Sequence, residues 1–396
     1  MKRIVIVANF IRNFKDGKTS RFIYLAEMLA ATGRYDVELI TSDFSHLSKT
    51  HKTFPDPYPF NFKLKLCHEP GYKSHKGIRR LLSHRSWGEE VTDYIKQIQR
   101  PDIIYCAVPS LTAAHKLAKF SAENGIKFVV DVQDLWPEAV FMLADNMLIR
   151  LVMSPMTRYI DTAYRNADAI VAVSETYARR AEKVNAKGAP SLAVFLGNDI
   201  DRFISAPSQP RSFDGITIGY IGTLSYSYDI GCVIEAIKIL NDSGKFPPIC
   251  FLIMGDGPLK EKFRQQAIDA GVDCRFTGML PYEQMATNLQ NCDIIVNPII
   301  KGAAQSITNK VGDYAFAGRP VVNTQECDEY RTLIDTYQCG INCTPGDSVD
   351  VAHAIGRLIN DKSLRERMGE NGRRLGLEKF HRPVSYNAII KLLDNL

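Results

Sequence analysis

The sequence predicts an α/β protein built from two doubly wound parallel sheets, and three observations lead to this class. The chain has 396 residues, more than one hydrophobic core usually supports, so two domains are the first expectation. Strand-like runs alternate with helix-like segments along almost the whole chain, as in parallel sheets with crossover helices. The series starts again after the Pro- and Ser-containing stretch DRFISAPSQPRSFDG, which is the predicted linker.

Short apolar runs of β-branched character predict the strands of each domain in order. In the first domain, predicted over 1–203, they are RIVIVANF, DVELIT, PDIIYCAV, KFVVDVQ and DAIVAVS. The intervening TSRFIYLAEMLAATG has helical spacing, with Thr19 or Ser20 as its cap and Gly33 as its end. In the second, predicted over 204–378, the runs are ITIGYIGTL, ICFLIMG, CRFTGML, DIIVNPI and RPVVNT. The amphipathic VSYNAIIKLLDNL falls in the last segment, 379–396, which is expected to pack back on the first domain.

Composition is ordinary for a soluble globular protein and excludes disordered and fibrous classes. Hydrophobic residues make up 45% of the chain and charged residues 23%. No apolar run approaches the roughly 18 residues of a membrane-spanning helix, and we expect no signal peptide at the strand-like start. The nine cysteines form no CxxC pair, which is typical of buried thiols in a reducing compartment. A cytoplasmic location is therefore expected.

The positive charge is concentrated in the first hundred residues. The whole chain carries +5, but residues 1–100 hold 18 Lys and Arg against 10 Asp and Glu, a net of +8, which leaves −3 elsewhere. Around 78–98, Ile78, Leu81 and Leu82 share helical spacing with Val91, Ile95 and Ile98, while basic residues fall mostly on other faces. This pattern fits a helix on an anionic membrane or a phospho-acceptor, or an ordinary solvated helix. Because no stacking aromatics accompany the charges, nucleic acid is not expected. The basic residues are Lys76, Arg79, Arg80 and Arg85.

Three segments of the second domain resemble anion sites. GYIGTL and GDGPLKEKF place Gly222, Thr223 and Gly255 where strands end, and there backbone N–H groups could meet a phosphate. Both segments are also typical of tight turns that bind no ligand. In SITNKVGDYAFAGRPVV, a helix beginning near Thr308 would direct Lys310 at a diphosphate and Asp313 at ribose hydroxyls. The alternative is an acidic residue that simply favours a helix N-terminus.

Six segments in one order carry a resemblance to a known family. They are VAVSE, FLGNDIDRF, GYIGTL, IMGDGPLKEKF, VDCRFTGMLPYEQMATNLQNCDIIVNP and NKVGDYAFAGRPVV. Together they resemble the retaining glycosyltransferases of family 4, well over 165–325 and more loosely in the N-terminal half. The resemblance implies a GT-B fold, in which two Rossmann-like domains face each other across a cleft. The N-terminal domain would bind the acceptor and the C-terminal domain the nucleotide-sugar. The NK…(E/D)Y pattern resembles members that build capsule and other surface polysaccharides.

The residues depart from the family pattern at the donor site. The two family glutamates, eight positions apart, correspond to Gln305 and Asp313, and the arginine of the glycine loop corresponds to Thr223. A family lysine soon after it is absent, so two cations that normally face the diphosphate are missing. Lys310 is the expected replacement. The donor-binding residues implied by the resemblance are Gly222, Thr223, Gly255, Met279, Gln305, Asn309, Lys310 and Asp313.

In the N-terminal domain, DVQDLWPEAV resembles the segment that faces the donor sugar. Asp134 is the expected acceptor-side catalytic residue, alongside Lys310, although it could instead cap the following turn. NFKDGKTSR resembles the family loop after the first strand, which implies that Asp16, Gly17 and Lys18 bind the acceptor. The DxD formed by Asp199 and Asp201 fits a cap or hinge, the histidines show no ligand spacing, and no metal or other cofactor is expected.

The expected activity is therefore transfer of a sugar, with retention, from a nucleoside diphosphate sugar to an acceptor. The acceptor implied is a polyprenyl-diphosphate-linked saccharide, which would bring the protein to the inner face of the cell membrane as a peripheral partner. A nucleotide-sugar epimerase or hydrolase on the same fold stays open. A donor-binding subunit without activity also stays open, because Gln305 and the missing cations could reflect lost catalysis.

Overall fold

The structure is a computed structural model of the chain. It describes residues 1–11, 20–54, 59–74, 77–138, 147–198, 200–205, 213–303 and 307–396. The chain divides into two compact units: Met1–Leu196 with Tyr386–Leu396 form unit 1, and Gly197–Ser385 form unit 2. The predicted boundary lay a few residues later, at 203, whereas the chain leaves unit 1 after Leu196.

Among the described residues, unit 1 contains a seven-stranded, all-parallel sheet in the order β3-β2-β1-β4-β5-β6-β7. Its strands are β1 (Lys2–Val7), β2 (Tyr35–Ser42), β3 (Lys63–Cys67), β4 (Ile103–Val108), β5 (Lys127–Val132), β6 (Ala169–Ala172) and β7 (Ser191–Ala193). Its crossover helices are α1 (Arg21–Ala31), α2 (Ile78–Gln97), α3 (Leu111–Asn124), α4 (Met147–Asn166) and α5 (Glu175–Glu182). The order reverses direction between β1 and β4, which is the switch point of a doubly wound sheet.

Strand β1 shows why these runs form a central sheet. Val5 and Val7 belong to one core layer, whereas Ile4 and Ile6 belong to the layer on the other face, and all four are fully buried. Successive side chains of a strand point to opposite faces, so a strand covered by helices on both sides must be apolar throughout. The continuous apolar runs of the sequence therefore predicted the sheet correctly.

In the described part of unit 2, six parallel strands follow the order β10-β9-β8-β11-β12-β13. They are β8 (Ile216–Ile221), β9 (Ile249–Met254), β10 (Asp273–Gly278), β11 (Ile294–Asn297), β12 (Val321–Asn323) and β13 (Gly340–Asn342). The helices are α6 (Ile200–Ile204), α7 (Ile230–Asp242), α8 (Lys260–Asp269), α9 (Tyr282–Gln290), α10 (Lys310–Ala317), α11 (Asp328–Tyr337), α12 (Ser348–Asn360) and α13 (Lys362–Leu375). A π-helical turn at Gly376–Phe380 precedes the last helix, α14 (Arg382–Asp394). Two doubly wound parallel sheets confirm the predicted fold class.

The last helix returns to the first unit of the chain. Tyr386, Ile389 and Leu393 are fully buried in the same core layer as Ile4 and Ile6. The Tyr386 hydroxyl donates to the carbonyl of Leu196 at 3.0 Å. Unit 1 is thus completed by the last eleven residues of the chain, Tyr386–Leu396.

Helix α2 corrects one expectation. Its apolar residues were predicted to share a single face, but the two halves of the helix differ. Val91 and Ile95 are buried in the core, whereas Ile78, Leu81 and Leu82 are 74%, 51% and 56% exposed. The physical reason is that the hydrophobic core reaches α2 only from Trp87 onward, whereas Ile78 and Leu81 line an open cavity. Across the described ranges, none of the helices has the length and apolarity that crossing a bilayer requires.

Candidate functional site

The carboxyl ends of β8 and β9 carry two glycine loops in close contact. A Cβ added to Gly255 would lie 1.8 Å from the carbonyl oxygen of Gly222, so no side chain fits there. The Gly222 N–H donates to the Met254 carbonyl at 3.1 Å, and the Leu224 N–H to the Asp256 carbonyl at 2.9 Å. The glycines are therefore required by the packing of one loop on the other.

This geometry corrects the expected role of Gly222. The Gly222 N–H was predicted to be free for a phosphate, but it is already bonded to Met254. What Gly222 provides is the absence of a side chain at a φ of +140°. A Cβ there would lie 3.2 Å from the Nζ of Lys310. The glycine loop thus lies directly against the amine of Lys310.

Lys310 is the first residue of α10, and its amine is buried. The Nζ has no hydrogen-bond partner among the described residues. It lies 3.9 Å from the ring centroid of Tyr228 and 4.5 Å from that of Tyr220, which gives cation–π contacts but no anion. Burial lowers the pKa of Lys310 well below its ordinary value. A buried amine without an anionic partner is costly, so this position favours a bound anion.

Asp313 lies one turn further along α10 and is also buried. Its Oδ1 accepts hydrogen bonds from the Asn198 amide and the Tyr282 hydroxyl, both at 2.8 Å. Burial raises the pKa of Asp313 to about 6, and the two hydrogen bonds and the charges of Arg382 and Arg202 only partly oppose this. The carboxyl is therefore held in a fixed orientation and titrates near neutrality. Asn198 and Tyr282 belong to two of the segments that carry the resemblance, but the sequence analysis gave neither residue a role.

The remaining predicted donor residues of unit 2 lie at the same edge of the sheet. Thr223 is exposed, and its carbonyl accepts from the Tyr220 hydroxyl at 2.9 Å. Met279 is exposed immediately after β10, and Asn309 is exposed at the start of α10 without a side-chain cap bond. Gln305 lies outside the described residues, as do Asp16, Gly17, Lys18, Lys76 and Asp199.

In unit 1, Asp134 lines a cavity of about 410 Å³ at the carboxyl ends of the strands, together with Trp136 and Gln133. The Trp136 indole N–H donates to the Asp134 Oδ2 at 3.0 Å. Burial raises the pKa of Asp134 above its ordinary value, and the Trp136 hydrogen bond partly opposes the shift. Asp134 is thus a half-buried carboxylate that faces a cavity.

Behind this cavity lies a buried ion pair that the sequence analysis did not single out. Arg21 Nε lies 2.8 Å from Asp131 Oδ2, and both side chains are almost fully buried. Asp131 also accepts from the Tyr105 hydroxyl at 2.6 Å and from the amide of Gln133, which lines the cavity. The network joins the start of α1 to the end of β5. Arg21 and Asp131 are 110 positions apart in the chain, so no local pattern could have indicated their pairing.

A larger cavity, of about 610 Å³, has a mostly apolar lining that includes Ile78, Leu81 and Met156. Arg80 and Arg85 also line it. The Arg80 Nε donates to the Nε2 of His84 at 3.2 Å. Burial, together with the charges of Arg80 and Lys49, lowers the pKa of His84 to about 4 against the opposing charge of Glu69, so the ring accepts as a neutral group. The basic surface predicted from the sequence therefore lies beside an apolar cavity, with Arg79 exposed on the same helix.

Comparison with known proteins agrees with this arrangement. Residues 16–201 match the family model described as Glycosyltransferase Family 4, and residues 215–361 match the one described as Glycosyl transferases group 1. The chain is thus similar to two glycosyltransferase domain models, one over each of these ranges. The expected family is thus supported at the level of its two domains.

Two curated proteins and one solved structure illustrate the similarity. O-antigen chain mannosyltransferase C of Escherichia coli is 28% identical over 41% of this chain, a region that spans less than half of that relative, 44%. A phosphatidyl-myo-inositol mannosyltransferase of Mycolicibacterium smegmatis is 21% identical over 92% of this chain and 86% of its own length. The crystal structure of HepE from Anabaena in complex with UDP has a TM-score of 0.70 and 16% identity over the whole of both chains. At that identity the structural similarity shows the fold alone.

Proposed function

We propose that this glycosyltransferase moves a sugar, with retention of configuration, from a nucleoside diphosphate sugar bound by unit 2 to an acceptor hydroxyl bound by unit 1. The observation that carries the proposal is the buried Lys310 amine, which has no hydrogen-bond partner among the described residues and lies against the Gly222 loop. The solved relative HepE, crystallised with UDP, supports a nucleotide ligand for this fold.

The donor diphosphate would be the anion that Lys310 lacks. The resemblance implies two cations at this site that are absent from the sequence, whereas the Lys310 amine lies against the loop, 3.2 Å from a Cβ built on Gly222. A charge held in place beside a leaving phosphate stabilises the transition state more than the ground state, because negative charge develops there. Binding of the diphosphate would also raise the pKa of Lys310 and so keep the amine protonated.

Asp313 and Asp134 would contact different parts of the substrates. Asp313, held by Asn198 and Tyr282, would accept hydrogen bonds from the ribose hydroxyls. Asp134 would orient the acceptor or the transferred sugar from the wall of its cavity. The donor's leaving phosphate would take the proton of the acceptor hydroxyl, which requires no second catalytic carboxylate.

Substitution of Lys310 by Met tests the donor site. We expect UDP or GDP to bind about 10- to 100-fold more weakly to K310M, because a charge-assisted contact contributes about 1.5–3 kcal/mol. Isothermal titration calorimetry with each nucleotide measures the change. The matched control is K262M, which removes an exposed lysine from α8. Equal nucleotide affinities for K310M and the wild type would contradict the assignment.

Product analysis then separates the activities that share this fold. With a matching nucleotide-sugar and acceptor, we expect a glycoside whose anomeric configuration, read by NMR, equals that of the donor. Free sugar would indicate a hydrolase, and an isomerised donor an epimerase. Nucleotide-sugar binding without turnover for any acceptor would indicate a donor-binding subunit.

We infer that the acceptor is a saccharide linked to a lipid through a diphosphate, and that the protein binds it at the surface of an anionic membrane. Ile78, Leu81 and Leu82 are exposed at the start of α2, beside the arginines of the same helix. Apolar side chains inserted into a bilayer and arginines near its headgroups add their contributions to binding. The name of the mannosyltransferase from Mycolicibacterium smegmatis, which specifies a phospholipid acceptor, supports an acceptor of this class.

Vesicle co-sedimentation tests the surface of α2. We expect binding to phosphatidylglycerol-containing vesicles, weaker binding to phosphatidylcholine alone, and loss in L81S/L82S because two apolar side chains no longer insert. I268S, which changes an equally exposed residue on α8, is the control and should bind like the wild type. Binding that is unaffected by L81S/L82S would rule out this surface.

A further inference from the structure

We propose that Asp43, His51 and His68 form a binding site for a divalent transition-metal ion of the Zn²⁺ type, and that the ion fastens the loop between Asp43 and His51. Nothing in the proposed transferase reaction uses these residues. The ligand atoms would be the Oδ2 of Asp43 and the Nδ1 atoms of the two imidazoles. All three lie within 4.8 Å of one another.

The three side chains meet because of the sheet. Ser42 and Cys67 are paired at the carboxyl ends of β2 and β3, so the next residues, Asp43 and His68, are neighbours. His51 comes back to them through a short loop, in which the Ser45 N–H donates to the Thr50 carbonyl at 2.8 Å and Phe44 pairs with His51. The two imidazole rings stack with an interplanar angle of 13°.

The spacing of the ligand atoms fits a metal shell. Asp43 Oδ2 lies 3.2 Å from the Nδ1 of His51 and 3.0 Å from the Nδ1 of His68. Ligands about 2.0–2.1 Å from a tetrahedral Zn²⁺ lie about 3.3 Å apart, so these distances need only small adjustments. With the ion bound to both Nδ1 atoms, each neutral ring would carry its proton on Nε2.

The surroundings orient the carboxylate and leave the ion accessible. Asp43 Oδ1 accepts a hydrogen bond from the Glu69 N–H at 2.8 Å, and Oδ2 faces the imidazoles. The Glu69 N–H thus orients the carboxylate, as outer-shell groups orient metal ligands. The side chains of Asp43, His51 and His68 are 20%, 47% and 60% exposed, so solvent could fill a fourth position. Two imidazoles with one carboxylate favour Zn²⁺, Ni²⁺ or Cu²⁺ over Mg²⁺ and Ca²⁺, which prefer oxygen ligands.

The site would act on the wall of the acceptor-side cavity. Phe44, Ser45, His46 and Leu47 lie between two of the ligands and line the 410 Å³ cavity that also contains Asp134. Because the ion would tie both ends of this segment to β3, it would reduce the opening of the loop. The site is thus structural, and the metal takes no part in bond making or breaking.

The test uses the full chain without a histidine tag, stripped with EDTA and titrated with Zn²⁺ by calorimetry. We expect one Zn²⁺ per chain, a rise in Tm, and no effect of Mg²⁺. H51N and H68N keep an N–H donor toward Asp43 but should bind Zn²⁺ at least about tenfold more weakly. H353N, which changes an exposed histidine of unit 2, is the control and should bind like the wild type. Equal Tm values in EDTA for wild type and variants confirm folding, and if one variant fails to fold, the other decides.

Trypsin gives a readout of the loop itself. Zn²⁺ should slow cleavage after Lys49 and Lys52 in the wild type but not in H51N, with cleavage after the exposed Lys245 unchanged. Zn²⁺ binding that is insensitive to both variants, or equally reduced in H353N, would overturn the site. Specific Zn²⁺ binding with unchanged cleavage after Lys49 and Lys52 would overturn its effect on the loop.

Discussion

At the scale of single residues, α10 holds two buried titratable groups whose pKa values move toward neutrality from opposite sides. Burial lowers the pKa of Lys310 and raises that of Asp313 to about 6, because in each case it disfavours the charged form. Neither group has an opposite charge in hydrogen-bond contact among the described residues. Both are thus prepared for a ligand at some cost in stability.

Asp313 gives the first prediction, for the pH dependence of stability. Its pKa rises from 3.8 to about 6 on folding, so the folded state binds the proton more tightly than the unfolded state. Its contribution to the free energy of unfolding is therefore present below pH 4 and is lost as the pH rises to about 6. The loss amounts to about 3 kcal/mol. D313N keeps the Oδ1 acceptor but cannot ionise, so we expect its urea midpoint at pH 7 to exceed that of the wild type.

Urea denaturation at pH 4 and pH 7 measures this difference. D269N, which changes an exposed carboxylate of α8, is the control. Its free energy of unfolding should fall between pH 4 and pH 7 as much as that of the wild type. If D313N and the wild type lost the same stability between the two pH values, the raised pKa of Asp313 would be wrong.

At the scale of elements, the junction of the β8 and β9 loops is determined by backbone contact. A Cβ at Gly255 would overlap the Gly222 carbonyl, which is main chain and cannot rotate away. We expect G255A to lower the free energy of unfolding by about 3 kcal/mol or more, as overpacking of a rigid contact does. Far-UV circular dichroism in urea follows the transition.

A second glycine of unit 2 provides the contrast. A Cβ at Gly372, inside α13, would meet its nearest neighbour at 3.8 Å, an ordinary contact. G372A should therefore keep or raise stability by about 0.5–1 kcal/mol, since alanine favours a helix. A destabilisation by G372A as large as that by G255A would show that backbone contact is not the deciding factor.

At the scale of the whole molecule, the chain completes unit 1 with its last helix. Ile389 is fully buried in that core. I389A should lower the free energy of unfolding of unit 1 by about 2–5 kcal/mol, as cavity-forming substitutions do. Both tryptophans of the chain, Trp87 and Trp136, lie in unit 1, so their fluorescence reports its unfolding. V384A changes an exposed residue of the same helix and should shift stability by no more than about 0.5 kcal/mol. Identical fluorescence transitions for I389A and the wild type would contradict a structural role of the helix.

The sequence predicted the positions of three candidate site residues relative to the strand ends. Gly222 and Gly255 follow β8 and β9 directly, and Asp134 lies two residues after β5; the carboxyl ends of parallel strands lie at one edge of a sheet. Contacts between distant segments were not predictable. Asp43, His51 and His68 show no metal-ligand spacing, and the pairing of β2 with β3 brings them together. Similarly, the sequence pattern of α2 gave no sign that Ile78 would be exposed while Val91 is buried.

The sequence by itself determined the fold class, because continuous apolar runs alternating with helical periodicity leave only a sheet covered on both faces. It also determined which glycines lie at the strand ends and that Lys310 lies in the first turns of a helix. Only the tertiary structure decided that the Lys310 amine is buried without a described partner, that the Gly222 N–H is already used, and that the last helix belongs to unit 1. The reason is physical: periodicity records which side chains avoid water, whereas burial and hydrogen bonding of a given atom depend on segments far away in the chain.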